Sequence, residues 1–119
     1  DFIDKVRRAA SIRGFKFIHL HAPCPPGWKF PDDYTVKVAR LAVETGMWVL
    51  WEYYQGKLTI SPPSVPYRDR QRRKPIEEYL RIQGRFSHLS NDDINEIKAM
   101  VDQEWETLMR LANILNNHT

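Results

Sequence analysis

The stretch that decides the fold is "DYTVKVARLAVETGMWVLWEYYQGKLTIS", residues 33–61. Its first part predicts a helix over 33–45, because apolar residues recur around the turns and an aspartate can cap the start. Gly46 is expected to end this helix at the position after the C-cap. The run "MWVLWEYY" (47–54) predicts a strand, and a Gln-Gly turn leads into a second strand over 57–61. The centre of the predicted fold is therefore a helix followed by a hairpin.

Three segments precede this centre. The stretch "FIDKVRRAA" (2–10) places its apolar residues on one helical face. The stretch "FKFIHLHA" (15–22) predicts a strand with bulky side chains on both faces, which suits an interior parallel strand. Four prolines in "PCPPGWKFP" (23–31) predict an ordered loop that is neither helix nor central strand.

The segments after the hairpin are mainly helical. The stretch "PPSVPYRDRQRRK" (62–74) is polar and is expected to be extended. A helix is predicted over 75–86, with Pro75 suited to its first turn. Ser90 and Asp93 have capping-box spacing before a long final helix whose apolar residues recur at steps of three or four. The order of helices and strands predicts an α/β fold.

Composition restricts the class of protein. The chain has 119 residues, of which 42% are hydrophobic and 28% charged, as in a globular domain that stays in solution. It contains no apolar run of the roughly 20 residues that span a bilayer. A lone cysteine predicts no disulfide framework and fits a reducing cytoplasm. Because the sequence shows neither a signal peptide nor an initiator methionine, we expect either a segment of a longer chain or a chain whose beginning was processed away.

The lone cysteine, Cys24, lies between prolines in the rigid stretch "HAPCPPGW" (21–28). From the residues alone, three interpretations stay open. It can be a small buried hydrophobic residue, or a nucleophile activated by His19 or His21. It can also be a metal ligand whose partners lie elsewhere, since one thiol does not make a zinc or iron–sulfur site.

The run "RDRQRRK" (68–74) holds five basic residues and one acidic residue. Three interpretations stay open: a solvated loop, a patch that binds nucleic acid or an acidic partner, and, because the final helix is acidic, a segment for internal or subunit-to-subunit docking. Because single-strand binders interleave aromatic residues with their charges and only Tyr67 is adjacent, nucleic acid is the less favoured partner. The net charge of +3 is too small to indicate nucleic acid by itself.

Three ordered stretches, "FKFIHLHAPCPPGWKF" (15–30), "TVKVARLAVETGMWVLWEYYQGKL" (35–58) and "KPIEEYLRIQGRFSHL" (74–89), resemble one family. They are similar to the C-terminal part of the β subunit of pyruvate:ferredoxin oxidoreductase (pyruvate synthase) and related 2-oxoacid:ferredoxin oxidoreductases. The resemblance implies the C-terminal portion of a thiamine-diphosphate-binding domain, with a parallel strand, a hairpin and packed helices.

For function, the resemblance implies oxidative decarboxylation of a 2-oxoacid, most simply pyruvate, to an acyl-coenzyme A and CO₂. The cofactors of such an enzyme are thiamine diphosphate, Mg²⁺ and 4Fe–4S clusters, and the electrons go to ferredoxin. Cys24 matches the late cysteine that ligates one 4Fe–4S cluster together with three early cysteines. Our hypothesis for such an enzyme is that the backbone amides after Pro26 and the nearby Trp28 affect the potential of that cluster through hydrogen bonding and exclusion of water.

Two departures limit what the resemblance implies. The Gly-Asp-Gly motif for thiamine diphosphate and the three early cysteines are absent from these 119 residues, and Pro26 stands where relatives often carry threonine. We therefore expect residues 1–119 to be a single fragment that supplies no catalytic residue and is inactive alone. Its expected partners are the remainder of the β subunit and the other subunits of a cytoplasmic enzyme. The rival hypotheses are a non-catalytic binding module using residues 68–74, and a docking domain with an inert Cys24.

Overall fold

The computed structural model describes residues 1–117. Its regular elements are five α-helices and one two-stranded antiparallel sheet within those residues. In chain order they are α1 (Phe2–Ser11), α2 (Pro25–Trp28), α3 (Thr35–Glu44), β1 (Trp51–Tyr54), β2 (Lys57–Ile60), α4 (Ile76–Arg81) and α5 (Asn91–Asn117). Short 3₁₀ helices join them at Asp32–Tyr34, Pro62–Arg68, Arg70–Arg72 and Gly84–Phe86.

The hairpin forms at the predicted turn. Gln55 and Gly56 have φ of 49° and 81°, the left-handed conformation that a tight two-residue hairpin needs at both central positions. Leu58 and Ile60 of β2 are buried against α5. The Asn116 side chain accepts a hydrogen bond from the Leu58 N–H and donates one to the Leu58 carbonyl, each at 3.0 Å. The end of α5 therefore fixes β2 through both backbone groups of one residue.

The main core lies between α3, α4 and α5. Its buried apolar residues come from all three helices and from Phe30 of the loop after α2: Val38, Leu41, Ala42, Ile76, Tyr79, Leu80, Ile94, Val101 and Trp105. The Trp105 indole N–H donates a buried hydrogen bond of 2.9 Å to the carbonyl of Gly46. Gly46 has φ of +80° directly after α3, as expected for a residue that ends a helix in the left-handed region.

Several sequence predictions are confirmed. Helix α1, helix α3 with its stop at Gly46 and both hairpin strands form, and a helix starts at residue 76. Strand β1 begins four residues later than expected, and α4 ends at Arg81 rather than at residue 86. The predicted aspartate cap of α3 does not form, because its N-cap is Tyr34 without a side-chain hydrogen bond. At the start of α5, the Asp93 carboxylate accepts hydrogen bonds from the Ser90 N–H and hydroxyl, both at 2.7 Å. The Asp93 N–H in turn donates to the Ser90 hydroxyl oxygen at 3.2 Å. This reciprocal pair is the predicted capping box.

The predicted parallel strand over 15–22 is wrong for the described chain. The segment has no regular structure, and Phe15 and Phe17 are 91% and 77% exposed. A strand forms only where a neighbour satisfies its backbone groups, and among residues 1–117 the only strands are the two of the hairpin. The fold class is therefore helix-rich with one antiparallel hairpin, consistent with α/β at the coarse level.

Two loop predictions are corrected as well. The segment 23–31 contains the one-turn helix α2, because Pro25 occupies its first position, where a missing N–H costs no hydrogen bond. The segment 62–74 is mostly 3₁₀ helix rather than extended. Within it the buried Ser64 hydroxyl accepts a 2.9 Å hydrogen bond from the Leu50 N–H. Prolines at the start of a short helix are tolerated for the same reason in both places.

No helix within residues 1–117 combines the length and the apolar character needed to cross a membrane.

Candidate functional site

Cys24 lies at the N-cap of helix α2, and it is exposed. Its carbonyl accepts the Trp28 N–H at 2.8 Å, and the Pro25 carbonyl accepts the Phe30 N–H at 3.2 Å. Lys29 then ends the turn in the left-handed region, with φ of 59°. The exposure contradicts the interpretation of Cys24 as a buried hydrophobic residue, and the hydrogen bonds fix the backbone on which the thiol is carried.

The thiol lies directly over Gly27. A Cβ atom at Gly27 would be 3.1 Å from the Cys24 Sγ, closer than a sulfur and a methyl group normally approach. The glycine therefore keeps one side of the sulfur free of side-chain atoms. Together with the prolines on either side of Cys24, this arrangement presents a thiol of restricted geometry at the surface.

The Cys24 loop, residues 21–30, is docked on the turn that follows α4. The Gly84 N–H donates to the Lys29 carbonyl at 2.8 Å, and a Cβ at Gly84 would come within 2.8 Å of the Lys29 Cβ. The Arg85 guanidinium carbon lies 3.8 Å from the centre of the Trp28 ring. Residues more than 50 positions apart in sequence thus hold the C-terminal end of α2. Sequence reasoning missed this contact, although "QGR" stands inside one of the quoted family stretches.

The two histidines near Cys24 pack against aromatic rings. His21 stacks on Trp48 at 4.8 Å between ring centroids and lies 5.4 Å from the Trp28 ring. His19 meets the edge of Trp48, also at 4.8 Å. Burial lowers the pKa of His21, and the charges of Arg85 and His19 lower that pKa further. The His21 Nε2 atom is buried with no hydrogen-bond partner within residues 1–117.

These contacts give Cys24 no metal-binding partners of its own. Within residues 1–117 no group of three or more histidine, cysteine, aspartate or glutamate side chains could hold a metal ion. A cluster bound through Cys24 would need its other ligands from outside the described residues. The geometry does fit one terminal ligand, because the sulfur is exposed, its backbone is fixed, and Gly27 leaves space beside it.

The basic run 68–74 is paired internally. Arg70 and Arg73 both bind Asp102 of α5, at 2.9 and 2.8 Å. Lys74 binds Glu44 at 2.8 Å, and Arg72 lies 3.8 Å from Asp69. Four of the five basic residues therefore face carboxylates of the same chain, and two of them bind the acidic final helix, which agrees with the internal-docking interpretation. The same pairing argues against a free surface for nucleic acid.

No protein-family model matches the chain. Individual relatives match over nearly its whole length. It is 44% identical over 114 residues to ketoisovalerate oxidoreductase subunit VorB of Pyrococcus furiosus, covering 96% of this chain and 35% of the relative. It is 45% identical over 108 residues to pyruvate synthase subunit PorB of Methanothermobacter marburgensis, covering 91% and 35%. For PorB of Methanocaldococcus jannaschii the identity is 41% over 108 residues, covering 91% and 34%.

The chain is a relative of the β subunits of 2-oxoacid:ferredoxin oxidoreductases. This finding confirms the family inferred from the three ordered sequence stretches. The chain spans about a third of the length of the relatives that it matches.

Proposed function

We propose that this chain is part of a 2-oxoacid oxidoreductase in which Cys24 is one of four thiolate ligands of a 4Fe–4S cluster. The observation that carries the proposal is the exposed Cys24 thiol on a backbone fixed by α2. The relatives named as oxidoreductase and synthase subunits support the reaction class. The other three thiolates, like the ligands of thiamine diphosphate and Mg²⁺, belong to residues outside this chain.

When bound, thiamine diphosphate would supply carbanion-stabilising chemistry, and a 4Fe–4S cluster held in part by Cys24 would supply one-electron transfer. The described residues hold the backbone that carries the thiolate. Trp28 ends α2, and the Arg85 guanidinium lies against its ring. None of the described side chains is assigned a catalytic role in this proposal.

The partners in the proposal are the remainder of the β subunit, the other subunits, ferredoxin, the 2-oxoacid and coenzyme A. The exposed segment 15–20 supports a contact with the remainder of the β subunit. Phe15, Phe17 and Leu20 are 91%, 77% and 58% exposed, an apolar surface that is costly to leave in water. We propose that this apolar segment packs against the remainder of the β subunit.

The experiment is iron analysis and low-temperature EPR of the complete enzyme, reconstituted anaerobically, as wild type and as Cys24→Ser. We expect the variant to lose or markedly alter one 4Fe–4S signal and to lose the corresponding iron. Ala22→Ser is the matched control, because it adds the same hydroxyl to the exposed loop and leaves the thiol in place. A Cys24→Ser enzyme with full iron and an unchanged spectrum would reject the ligand assignment.

The substrate in the proposal is pyruvate. The relatives are named for pyruvate and for ketoisovalerate, at nearly equal identity, so the comparison of sequences does not decide between them. The choice between the two substrates is tested by measuring ferredoxin reduction by the complete enzyme with each acid at equal concentration. A higher kcat/KM is expected for pyruvate. A higher kcat/KM for ketoisovalerate would reject pyruvate and assign ketoisovalerate as the substrate.

A further inference from the structure

Arg85 is held on three sides at the Cys24 loop. Its guanidinium lies 3.8 Å from the Trp28 ring centre and 4.5 Å from the centre of the Phe86 ring. Its Nε donates to the Gln83 Oε1 at 2.9 Å. Gln83 is itself fully buried, and its Nε2 donates to the Tyr79 carbonyl. A long cationic side chain fixed in this way loses conformational freedom, so the arrangement calls for a reason.

The charge of Arg85 is not neutralised by an ion pair. The ion pairs within residues 1–117 use other basic groups, and Arg85 is in none of them. Its partners among these residues are two aromatic faces, a neutral amide and the Tyr79 side chain, which orient a cation without cancelling its charge. The electric field of Arg85 acts on His21, three residues before Cys24, since the Arg85 charge is among the causes that lower the pKa of His21.

Trp28 connects Arg85 to the thiolate. The Trp28 N–H donates to the Cys24 carbonyl at 2.8 Å, so the indole stands one helical turn from the cysteine. On the proposed function, on which this step rests, we infer that Arg85 positions the Cys24 loop through Trp28 and favours the reduced state of the attached cluster. Arg85 is a positioning residue with an electrostatic effect and is not expected to touch substrate.

The direction and size follow from the charge. Reduction adds one negative charge to a cluster, and a fixed cation nearby stabilises that product. A separation of about 10 Å between the guanidinium and the cluster sets the order of magnitude. At an effective dielectric constant of about 20, one charge at that distance changes the reduced-to-oxidised ratio about tenfold. For a one-electron couple, a tenfold change is about 59 mV.

The test is an EPR-monitored redox titration of the complete, anaerobically prepared enzyme as wild type, Arg85→Gln, Arg85→Met and Arg85→Lys. Both neutral variants should lower the midpoint potential of one cluster by about 59 mV, which corresponds to a tenfold decrease in the reduced-to-oxidised ratio. Arg85→Met can still cover the Trp28 ring without a charge. Arg85→Lys retains the charge and should stay near the wild-type potential. Arg81→Gln, which removes an exposed arginine at the end of α4, is the charge-matched control and should shift nothing.

The outcomes separate the two proposals. Wild-type potentials in Arg85→Gln or Arg85→Met with full iron would overturn the inference, whatever Cys24→Ser does. Loss of iron in both neutral variants, with full iron in Arg85→Lys, would support it, because only the charge then distinguishes the variants. An unchanged cluster in Cys24→Ser would instead reject the ligand assignment. A shift equal to that of Arg81→Gln would show a general effect of net charge and would reject a special role for Arg85.

Discussion

The substitution Gly46→Ala tests how α3, the hairpin and α5 are joined. Gly46 has φ of +80°, where a residue with a Cβ costs roughly 1–2 kcal/mol. The new Cβ would lie 2.9 Å from the Trp105 Nε1 and 2.9 Å from the Arg73 Cδ. Neither neighbour can withdraw freely. Trp105 is buried, and the Arg73 side chain is only 9% exposed and bonded to Asp102.

Moving the indole would break its hydrogen bond to the Gly46 carbonyl, and a buried group left unpaired costs about 1–3 kcal/mol. Together with the backbone cost, Gly46→Ala should lower the free energy of unfolding by about 3 kcal/mol. For a chain of this size that corresponds to a fall in Tm of roughly 10–15 °C.

The assay is equilibrium urea unfolding of the chain, followed by circular dichroism and tryptophan fluorescence. Gly14→Ala is the matched control, because Gly14 also has a positive φ, of 121°, but no atom lies within 4 Å of an added Cβ. The control should cost at most about 1 kcal/mol, since its exposed segment can relax. Equal losses in the two variants, or a loss under about 1 kcal/mol at Gly46, would refute the steric part of the reasoning.

The capping box at the start of α5, His21 and the basic run 68–74 each give a further prediction. Ser90→Ala should cost about 1 kcal/mol in urea unfolding, because it removes the cap of α5. The hydrogen bonds from the Ser90 hydroxyl and N–H lower the pKa of Asp93 below 3.8, so the stabilisation that Asp93 gives is present above that pH. It is lost as the pH falls through the folded-state value, and the difference between wild type and Asp93→Asn should shrink there. Burial lowers the pKa of His21 below 6.5, so the unfolded state binds the proton more tightly, and wild type should lose stability relative to His21→Phe as the pH falls below 6.5. Fluorescence anisotropy with a labelled oligonucleotide should show no binding at ordinary ionic strength, because residues such as Arg70 are paired with Asp102.

Each of these predictions has a control or a result that would contradict it. An NMR titration midpoint at or above 6.5 for His21 would contradict its prediction. Ser87→Ala, an exposed serine three residues before the cap, should leave the stability near wild type. A steep salt dependence of oligonucleotide affinity would revive the binding-module hypothesis for residues 68–74.

The elements that the sequence predicted correctly depend on neighbours in the chain. The Gln-Gly turn, the stop at Gly46 and the Ser90–Asp93 cap each need only residues within four positions. Their backbone conformations and hydrogen bonds are therefore written locally. The family, too, was recognisable from three ordered stretches, and the relatives confirm it.

The candidate site was only partly predictable. The sequence singled out Cys24 and Trp28 but gave no sign that Arg85 lies on the Trp28 ring or that Gly84 approaches Lys29. A stacked guanidinium and a close backbone approach join residues more than 50 positions apart. No periodicity or motif within one segment records such a pair.

Local sequence accounts for the Gln-Gly turn, the stop at Gly46, the Ser90–Asp93 cap and most helices, and its ordered stretches identify the family. Only the tertiary structure decided that residues 15–22 stay unpaired, that the basic run folds onto Asp102, and that Arg85 covers the Cys24 loop. The physical reason is the range of the interactions. Turns and caps are set by the backbone preferences of adjacent residues, whereas a strand or a stacked cation forms only when a distant segment supplies its partner.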